Sequence, residues 1–186
     1  AMISAFGKNG EIQKMLAYFL QMKEEGIKPD LVTFTNIIDA YARVGDVDNM
    51  MKFLKTMRKS GFKANVITYT SIVECAHKAG KIELLMEMFK QLKEDGVQPN
   101  TQICNCVLSG LKVKGDTKGI VEQFESMKKY GYTPSDSMNH ILASAYEAQG
   151  NQTEASKYRK LMQQSRGFHR RGPKPAPKKK SEVTSD

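Results

Sequence analysis

Apolar residues along the chain recur as pairs of short helical stripes. In residues 31–65 the first stripe follows i, i+1, i+4, i+5 spacing, which indicates the buried face of a helix. It consists of Ile37, Ile38, Tyr41 and Ala42. A second stripe follows after a short polar interval and consists of Met50, Met51, Phe53, Leu54 and Met57. The pattern therefore predicts two consecutive amphipathic helices that form a hairpin.

Turn and cap residues mark the ends of these two helices. Gly45 is expected to end the first helix, because glycine accepts the left-handed conformation common at helix C-termini. Either Asp46 or Asp48 can cap the second helix with its carboxylate. Gly61 closes the second helix, and in other units a proline in the following link prevents its continuation. These prolines are Pro29, Pro99 and Pro134.

The hairpin pattern repeats every 35 residues. Two glycine series share this step: Gly10, Gly45, Gly80, Gly115 and Gly150, and Gly26, Gly61, Gly96 and Gly131. Small residues recur where a large side chain would separate neighbouring helices: Ala5, Ala40, Cys75, Gly110 and Ala145. A lone hairpin cannot bury this much apolar surface, so the units must stack. The sequence predicts an all-α protein, an α-solenoid of stacked helix-turn-helix repeats.

The period also divides the chain into segments. The complete units are 31–65, 66–100 and 101–135. Residues 1–30 form a partial repeat that lacks its first five positions, which indicates a fragment of a longer protein. Residues 136–165 are predicted to be a degenerate capping repeat, because Asn139 replaces the aromatic residue that earlier units carry as Phe34 and Tyr69. Residues 166–186 are predicted to be a basic, disordered tail.

Several segments closely resemble the consensus of pentatricopeptide repeats of plant organelle proteins. They are VTFTNIIDAYARVGD, MKEEGIKPD, VITYTSIVECAHKAGK and LKEDGVQPN. The resemblance is strong over residues 1–135 and weaker over 136–165. It implies a right-handed superhelix that binds single-stranded RNA, with one base for each repeat. It also implies the C-terminal fragment of a protein in the chloroplast or, alternatively, the mitochondrion.

The resemblance further implies which side chains read the bases. They are the fifth and last residues of each unit: Thr35 with Asn65, Thr70 with Asn100, and Asn105 with Ser135. In this family Thr with Asn favours adenine and Asn with Ser favours cytosine, so the expected RNA core is 5′-AAC-3′. The second residues, expected to sandwich bases, are Val32, Ile67 and Gln102. Three alternatives stay open. Asp30, Asn65, Asn100 and Ser135 can be N-caps, Thr35 and Thr70 can be ordinary polar residues of a first turn, and Val32 and Ile67 can be core residues.

Cations recur at a third position, near the end of the first helix. They are Lys8, Arg43 and Lys78. Because their spacing follows the repeat, they are predicted to contact successive phosphates. The alternative is that they complement the helix C-terminus. Val113 and Ala148 interrupt the series toward the end of the chain.

Charge and motifs narrow the range of functions. The net charge is +9, but residues 166–186 carry seven basic and two acidic residues, which leaves 22 basic and 18 acidic residues in the rest of the chain. No catalytic constellation, metal-ligand set, cofactor motif or apolar run long enough to span a membrane is present. Three cysteines are too few for a disulfide framework. The sequence favours a binding module over an enzyme.

The resemblance implies a role in organelle RNA processing, splicing, stability or translation, together with other gene-expression proteins. Two alternatives remain open at this point. The chain can be a protein–protein interaction scaffold in an organelle ribonucleoprotein or transcription complex, because helical solenoids commonly bind proteins. It can also be part of an enzyme whose catalytic domain precedes residue 1.

Overall fold

The computed structural model describes the backbone of residues 2–170 and the side chains of residues 2–163. All secondary structure in this part of the chain is helical. The helices are α1 (Met2–Lys8), α2 (Ile12–Glu24), α3 (Leu31–Val44), α4 (Val47–Lys59), α5 (Val66–Lys78), α6 (Ile82–Glu94), α7 (Thr101–Lys114), α8 (Thr117–Lys128), α9 (Asp136–Ala148) and α10 (Gln152–Arg170). The predicted succession of helical hairpins is confirmed, with odd-numbered helices as the first helix of each pair.

The ends of α3 and α4 lie where the sequence places them. Gly45 has φ 76°, and its N–H and that of Asp46 bond the last carbonyls of α3. Of the two candidate caps for α4, Asp46 is the one that acts, because its Oδ1 accepts from the Asn49 N–H at 3.0 Å. Gly61 ends the hairpin with φ 86°. The left-handed glycines therefore set the length of the repeat.

The helices form two layers that are packed differently. Successive first helices contact one another along the series α1, α3, α5, α7 and α9. No two second helices among α2, α4, α6, α8 and α10 approach each other as closely. Since the first helices are closer together than the second ones, the stack curves with the first helices on its inner side. We call the surface formed by α1, α3, α5, α7 and α9 the first-helix groove.

The core lies between the two layers and is continuous along the stack. Small residues allow each first helix to approach the preceding hairpin. A Cβ atom added to Gly110 in α7 would lie 3.4 Å from both Ile82 Cδ1 and Leu85 Cδ1 of α6. Ala40 and Ala145, at the same position of their units, are each 1% exposed. The sequence-based explanation of the small residues is confirmed at these positions.

The C-terminal end differs from the predicted boundary. Helix α10 continues to Arg170, so residues 166–170 of the predicted tail are helical. The remainder of that tail lies outside the described residues. None of the described helices is long and apolar enough to cross a membrane.

Candidate functional site

Side chains of consecutive first helices line two neighbouring cavities of the first-helix groove. The cavity between α3 and α5 has a volume of about 160 Å³ and is lined by Asp39, Ala42, Arg43, Ser71, Glu74, Cys75 and Lys78. The cavity between α5 and α7 has a volume of about 230 Å³ and is lined by Glu74, His77, Lys78, Gln102, Asn105, Cys106 and Ser109. The second cavity thus brings the predicted cation Lys78 together with Asn105 of the base-reading set and Gln102 of the base-sandwiching set.

The last residue of two units caps the helix that follows. Asn65 Oδ1 accepts from the Thr68 N–H at 2.9 Å, and Asn100 Oδ1 accepts from the Ile103 N–H at 2.9 Å. Ser135 precedes α9 but its side chain makes no capping hydrogen bond. The capping interpretation is therefore confirmed for both asparagines and wrong for Ser135. An asparagine used as a cap still has its Nδ2 group for another partner.

The fifth residue meets the last residue in the unit 66–100. Asn100 Nδ2 donates to Thr70 Oγ1 at 2.9 Å, and the same hydroxyl donates to the Val66 carbonyl at 2.7 Å. One amide hydrogen of Asn100 remains available for a further acceptor. The structure thus joins the two side chains that the sequence assigned as one pair.

The equivalent pair in the unit 31–65 is joined indirectly. Thr35 Oγ1 lies 3.0 Å from Thr68 Oγ1 of the next first helix. Thr68 Oγ1 in turn donates to Asn65 Oδ1 at 3.0 Å. Sequence reasoning missed Thr68, which is fully buried and connects the two predicted residues.

The pair in the unit 101–135 is not joined. Asn105 Oδ1 accepts a 2.6 Å hydrogen bond from the Tyr132 hydroxyl. The Ser135 hydroxyl lies 3.0 Å from the Ser137 hydroxyl instead. The three predicted pairs therefore share a position in the repeat but have three different hydrogen-bonding arrangements.

The second residue of each unit projects into solvent. Val32 is 63% exposed, Ile67 is 61% exposed, and Gln102 is also exposed. The alternative that Val32 and Ile67 belong to the core is therefore wrong. Exposed apolar side chains can contribute to ligand binding, because burial of their apolar surface against a ligand is favourable.

The predicted phosphate-contacting cations are exposed, and two of them are paired with acids on the same helix. Arg43 Nε donates to Asp39 Oδ2 at 2.8 Å, and this bond raises the pKa of Arg43. Lys78 Nζ lies 4.0 Å from Glu74 Oε2. Lys8 has Ser4, not an acid, at the equivalent position. The groove cations of α3 and α5 are thus partly neutralised.

Asp39 has a second partner that sequence reasoning missed. Its Oδ1 accepts from the Ser71 hydroxyl of α5 at 2.8 Å. A single carboxylate therefore binds a groove cation and links α3 to α5. The i, i+4 spacing of Asp39 and Arg43 in the sequence indicates an ion pair on one helix. The contact with Ser71 depends on how two units stack and has no such indication in the sequence.

The closing unit lacks these groove features. Ala148 occupies the position of the cations in this unit, and the 76% exposed Val113 already occupies it in the unit 101–135. Asn139 is 5% exposed, and its Oδ1 is buried without a hydrogen-bond partner among the described residues. These observations agree with the degenerate character that the sequence assigned to residues 136–165.

The three cysteines are buried free thiols. Burial raises the pKa of Cys104 and of Cys106 to about 11, so both thiols are protonated at neutral pH. Within the described residues there is no group of three or more histidine, cysteine or acidic residues able to hold a metal ion.

Family models match most of the chain. The model described as "PPR repeat family" matches residues 1–42 and 29–77, "PPR repeat" matches residues 67–97, and "Pentatricopeptide repeat domain" matches residues 96–144. No curated protein matches the chain at a significant level.

Solved structures share the fold at low sequence identity. The PPR domain of Arabidopsis thaliana protein-only RNase P 1, solved in complex with tRNA, is 18% identical with a TM-score of 0.72, over 92% of this chain and 89% of that domain. Maize PPR10 is 23% identical with a TM-score of 0.64, over 89% of this chain. PPR10 bound to an 18-nt psaJ RNA element is 24% identical with a TM-score of 0.63, over 88% of this chain. The chain spans 24% of the length of PPR10 in both structures.

Proposed function

The chain belongs to the pentatricopeptide repeat family, and on this premise we propose that it binds single-stranded RNA along the first-helix groove, with one base for each complete unit. The observation that carries this proposal is the placement of polar side chains at one-unit intervals. Thr70 and Asn100 form one such pair in direct contact. Exposed side chains at the second position, of which Val32 and Ile67 are apolar, can pack against the faces of the bases.

The proposed core of the target is 5′-AAC-3′. Its first two bases follow from the pairs Thr35 with Asn65 and Thr70 with Asn100, and the third from Asn105 with Ser135. In the second pair the free Nδ2 hydrogen of Asn100 is a donor that suits adenine N1. We also propose, from the family resemblance, that the whole protein acts in RNA maturation in the chloroplast or the mitochondrion.

The test is binding of the chain to short single-stranded RNAs that differ only in these three bases. We expect tighter binding to the RNA with 5′-AAC-3′ than to RNAs with one base changed, and binding that weakens as salt increases. Each mismatched base is expected to cost about 1–3 kcal/mol, the cost of leaving a desolvated polar group without its hydrogen-bond partner. Equal binding to all RNAs, or none to any, would contradict the proposal.

Asn100→Asp tests the assignment of a single unit. Aspartate retains the N-cap of α7, because a carboxylate also accepts from the Ile103 N–H. A carboxylate lacks the amide donor and accepts from the N–H groups of guanine. We therefore expect preference at the second base to shift from adenine toward guanine, with unchanged preference at the other two bases. Fluorescence anisotropy with the four RNAs that vary only at this base measures the shift.

A protein-binding scaffold is the second candidate function, and one observation favours it. The pairs Arg43–Asp39 and Lys78–Glu74 leave the centre of the groove near neutral, whereas surfaces that bind nucleic acid usually carry net positive charge. Under this alternative, binding to RNA is weak, independent of sequence, and dominated by the basic residues that follow position 170. Deleting residues 171–186 would then abolish RNA binding, whereas base-specific binding by the groove would survive the deletion.

A further inference from the structure

We propose that Tyr132 is a specificity-determining residue, because its hydroxyl fixes the Asn105 amide so that the unit 101–135 accepts cytosine and rejects uracil. The inference rests on the proposed RNA-binding function and concerns the third base of its core. Tyr132 is not one of the fifth, last or second residues, so the repeat assignment gives it no role. It acts through Asn105 and is a positioning residue.

The geometry holds the tyrosine hydroxyl in place. Tyr132 is 9% exposed, and its ring packs edge-on against Phe124, with the ring centroids 6.2 Å apart. Its hydroxyl donates to Asn105 Oδ1 at 2.6 Å. Because the ring is buried and its neighbours are packed around it, this donor cannot swing away without loss of core contacts. The amide of Asn105 therefore has a fixed orientation.

This orientation leaves Asn105 as a donor toward the groove. Asn105 lines the cavity between α5 and α7, next to the exposed Gln102. Its Nδ2 has no hydrogen-bond partner among the described residues. Among the described residues, Asn139 Oδ1 is the one fully buried side-chain polar atom that lacks a partner. Asn105 Nδ2 also lacks a partner, so it is not fully buried and reaches solvent. A base at this place meets N–H groups and not the amide oxygen.

An N–H donor distinguishes the two pyrimidines. Cytosine N3 is an acceptor, whereas uracil carries a hydrogen on N3 and would face Nδ2 with a second donor. An amide that is free to turn could offer its oxygen to uracil instead, because the asparagine side chain both donates and accepts. Turning the amide over would leave the hydrogen of the buried Tyr132 hydroxyl without an acceptor, so the bond from Tyr132 disfavours that orientation. The chemistry therefore favours cytosine over uracil at this unit.

The arrangement is specific to one unit of this chain. The equivalent residues in the other units are Ile27, Phe62 and Val97, none of which has a hydroxyl. The fifth residues of the two preceding complete units are threonines, Thr35 and Thr70. Tyrosine and asparagine thus occur together only in the unit 101–135 among the three complete ones. Phenylalanine at the equivalent position 62 also shows that the fold accepts the ring without its hydroxyl.

The experiment compares Tyr132→Phe with the unchanged chain on two RNAs, one with cytosine and one with uracil at the third base of the core. We expect the unchanged chain to prefer cytosine, and Tyr132→Phe to reduce the ratio of the two affinities by about 2- to 10-fold, the effect of one hydrogen bond. The reduction should come mainly from tighter binding of uracil. Tyr130→Phe, which removes a hydroxyl from an exposed tyrosine in the same link, should leave the ratio unchanged.

A second variant separates positioning from a general structural effect. In an Asn105→Ala background, Tyr132→Phe should not change the cytosine-to-uracil ratio, because the amide that it positions is absent. If Tyr132→Phe has normal circular dichroism and an unchanged cytosine-to-uracil ratio, including the case in which both affinities change equally, the inference about Tyr132 is wrong. The proposed RNA-binding function would not be affected by that result. If the unchanged chain bound no RNA of the series, the proposed function and this inference would both be wrong.

Discussion

The unit 66–100 and the closing unit that begins at residue 136 are both helical hairpins, but they differ in the polar side chains of their first helices. Tyr69, fully buried in α5, donates to Asp95 Oδ2 at 2.5 Å and accepts from Arg58 Nη2 at 3.0 Å. Arg58 belongs to the preceding unit, so this network joins two repeats. Asn139 occupies the same position in α9 and leaves a buried oxygen without a partner.

This difference shows which parts of a repeat are constrained by stacking. Both units keep the left-handed glycine after the first helix, Gly80 with φ 66° and Gly150 with φ 74°. They also keep a small residue where helices approach, Cys75 and Ala145, which are 3% and 1% exposed. The polar network, the side-chain cap of the first helix and the groove cation are absent from the closing unit, in which Asn151 caps the second helix. Backbone and apolar positions therefore maintain the stack, while polar positions are free to carry function.

The largest effect is expected from Tyr69→Asn, which places the residue of the closing unit into the middle of the stack. The variant removes a buried ring and leaves Asp95 and Arg58 without their shared partner. We expect the free energy of unfolding to fall by about 3–5 kcal/mol, as for removal of other buried aromatic side chains. Urea-induced unfolding measures it. Tyr69→Phe, which keeps the ring, should cost only about 1–2 kcal/mol.

A loss of less than about 1 kcal/mol in Tyr69→Asn would mean that the middle unit tolerates a polar residue as well as the closing unit does. The contrast between the two units would then have no energetic basis.

A smaller effect of opposite sign is expected from Asn139→Cys. Cysteine is similar in volume to asparagine and is the residue that the unit 101–135 has at the equivalent position, Cys104, which is 1% exposed. Because the substitution removes a buried oxygen without a partner, we expect a gain of about 1–2 kcal/mol in the free energy of unfolding. Gln13→Cys, at an exposed position of α2, provides the control. Destabilisation by Asn139→Cys would indicate that the amide has a role that the closing unit needs.

The smallest effect concerns the groove charges. The double variant Asp39→Ser and Glu74→Ser gives α3 and α5 the serine that α1 and α7 have as Ser4 and Ser109. Because it frees Arg43 and Lys78, we expect binding to single-stranded RNA at low salt to tighten by about 3- to 10-fold and to depend more steeply on salt. Fluorescence anisotropy across a salt series measures both quantities.

The matched control makes the same change of charge on second helices. Glu94 and Glu122 pair with Lys90 at 3.8 Å and Lys118 at 3.9 Å, away from the first-helix groove. The double variant Glu94→Ser and Glu122→Ser should tighten binding much less. An equal gain from both double variants would show that net charge, and not the groove, determines the affinity.

The sequence predicts the architecture well because stacking imposes strict spacing. The glycine series and apolar stripes correctly indicate the hairpins, and the caps at Asn65 and Asn100 follow from their place before a helix. Side-chain hydrogen bonds between residues far apart in the chain are not predictable from the repeat pattern. Thr68, Ser71 and Tyr132 contact residues about 30 positions away, and the period alone does not specify which side-chain conformations bring them together.

The unequal packing of the two layers has a mechanical consequence. The inner layer is held by direct contact between neighbouring helices, whereas the outer one is bridged by long side chains, such as Arg58 Nη1 to Gln91 Oε1 at 2.6 Å and Lys93 Nζ to Gln123 Oε1 at 3.4 Å. Such tethers adjust by rotation about their own bonds. The outer edge of the stack is therefore more compliant than the inner one, and a small change in the pitch of the stack costs little packing.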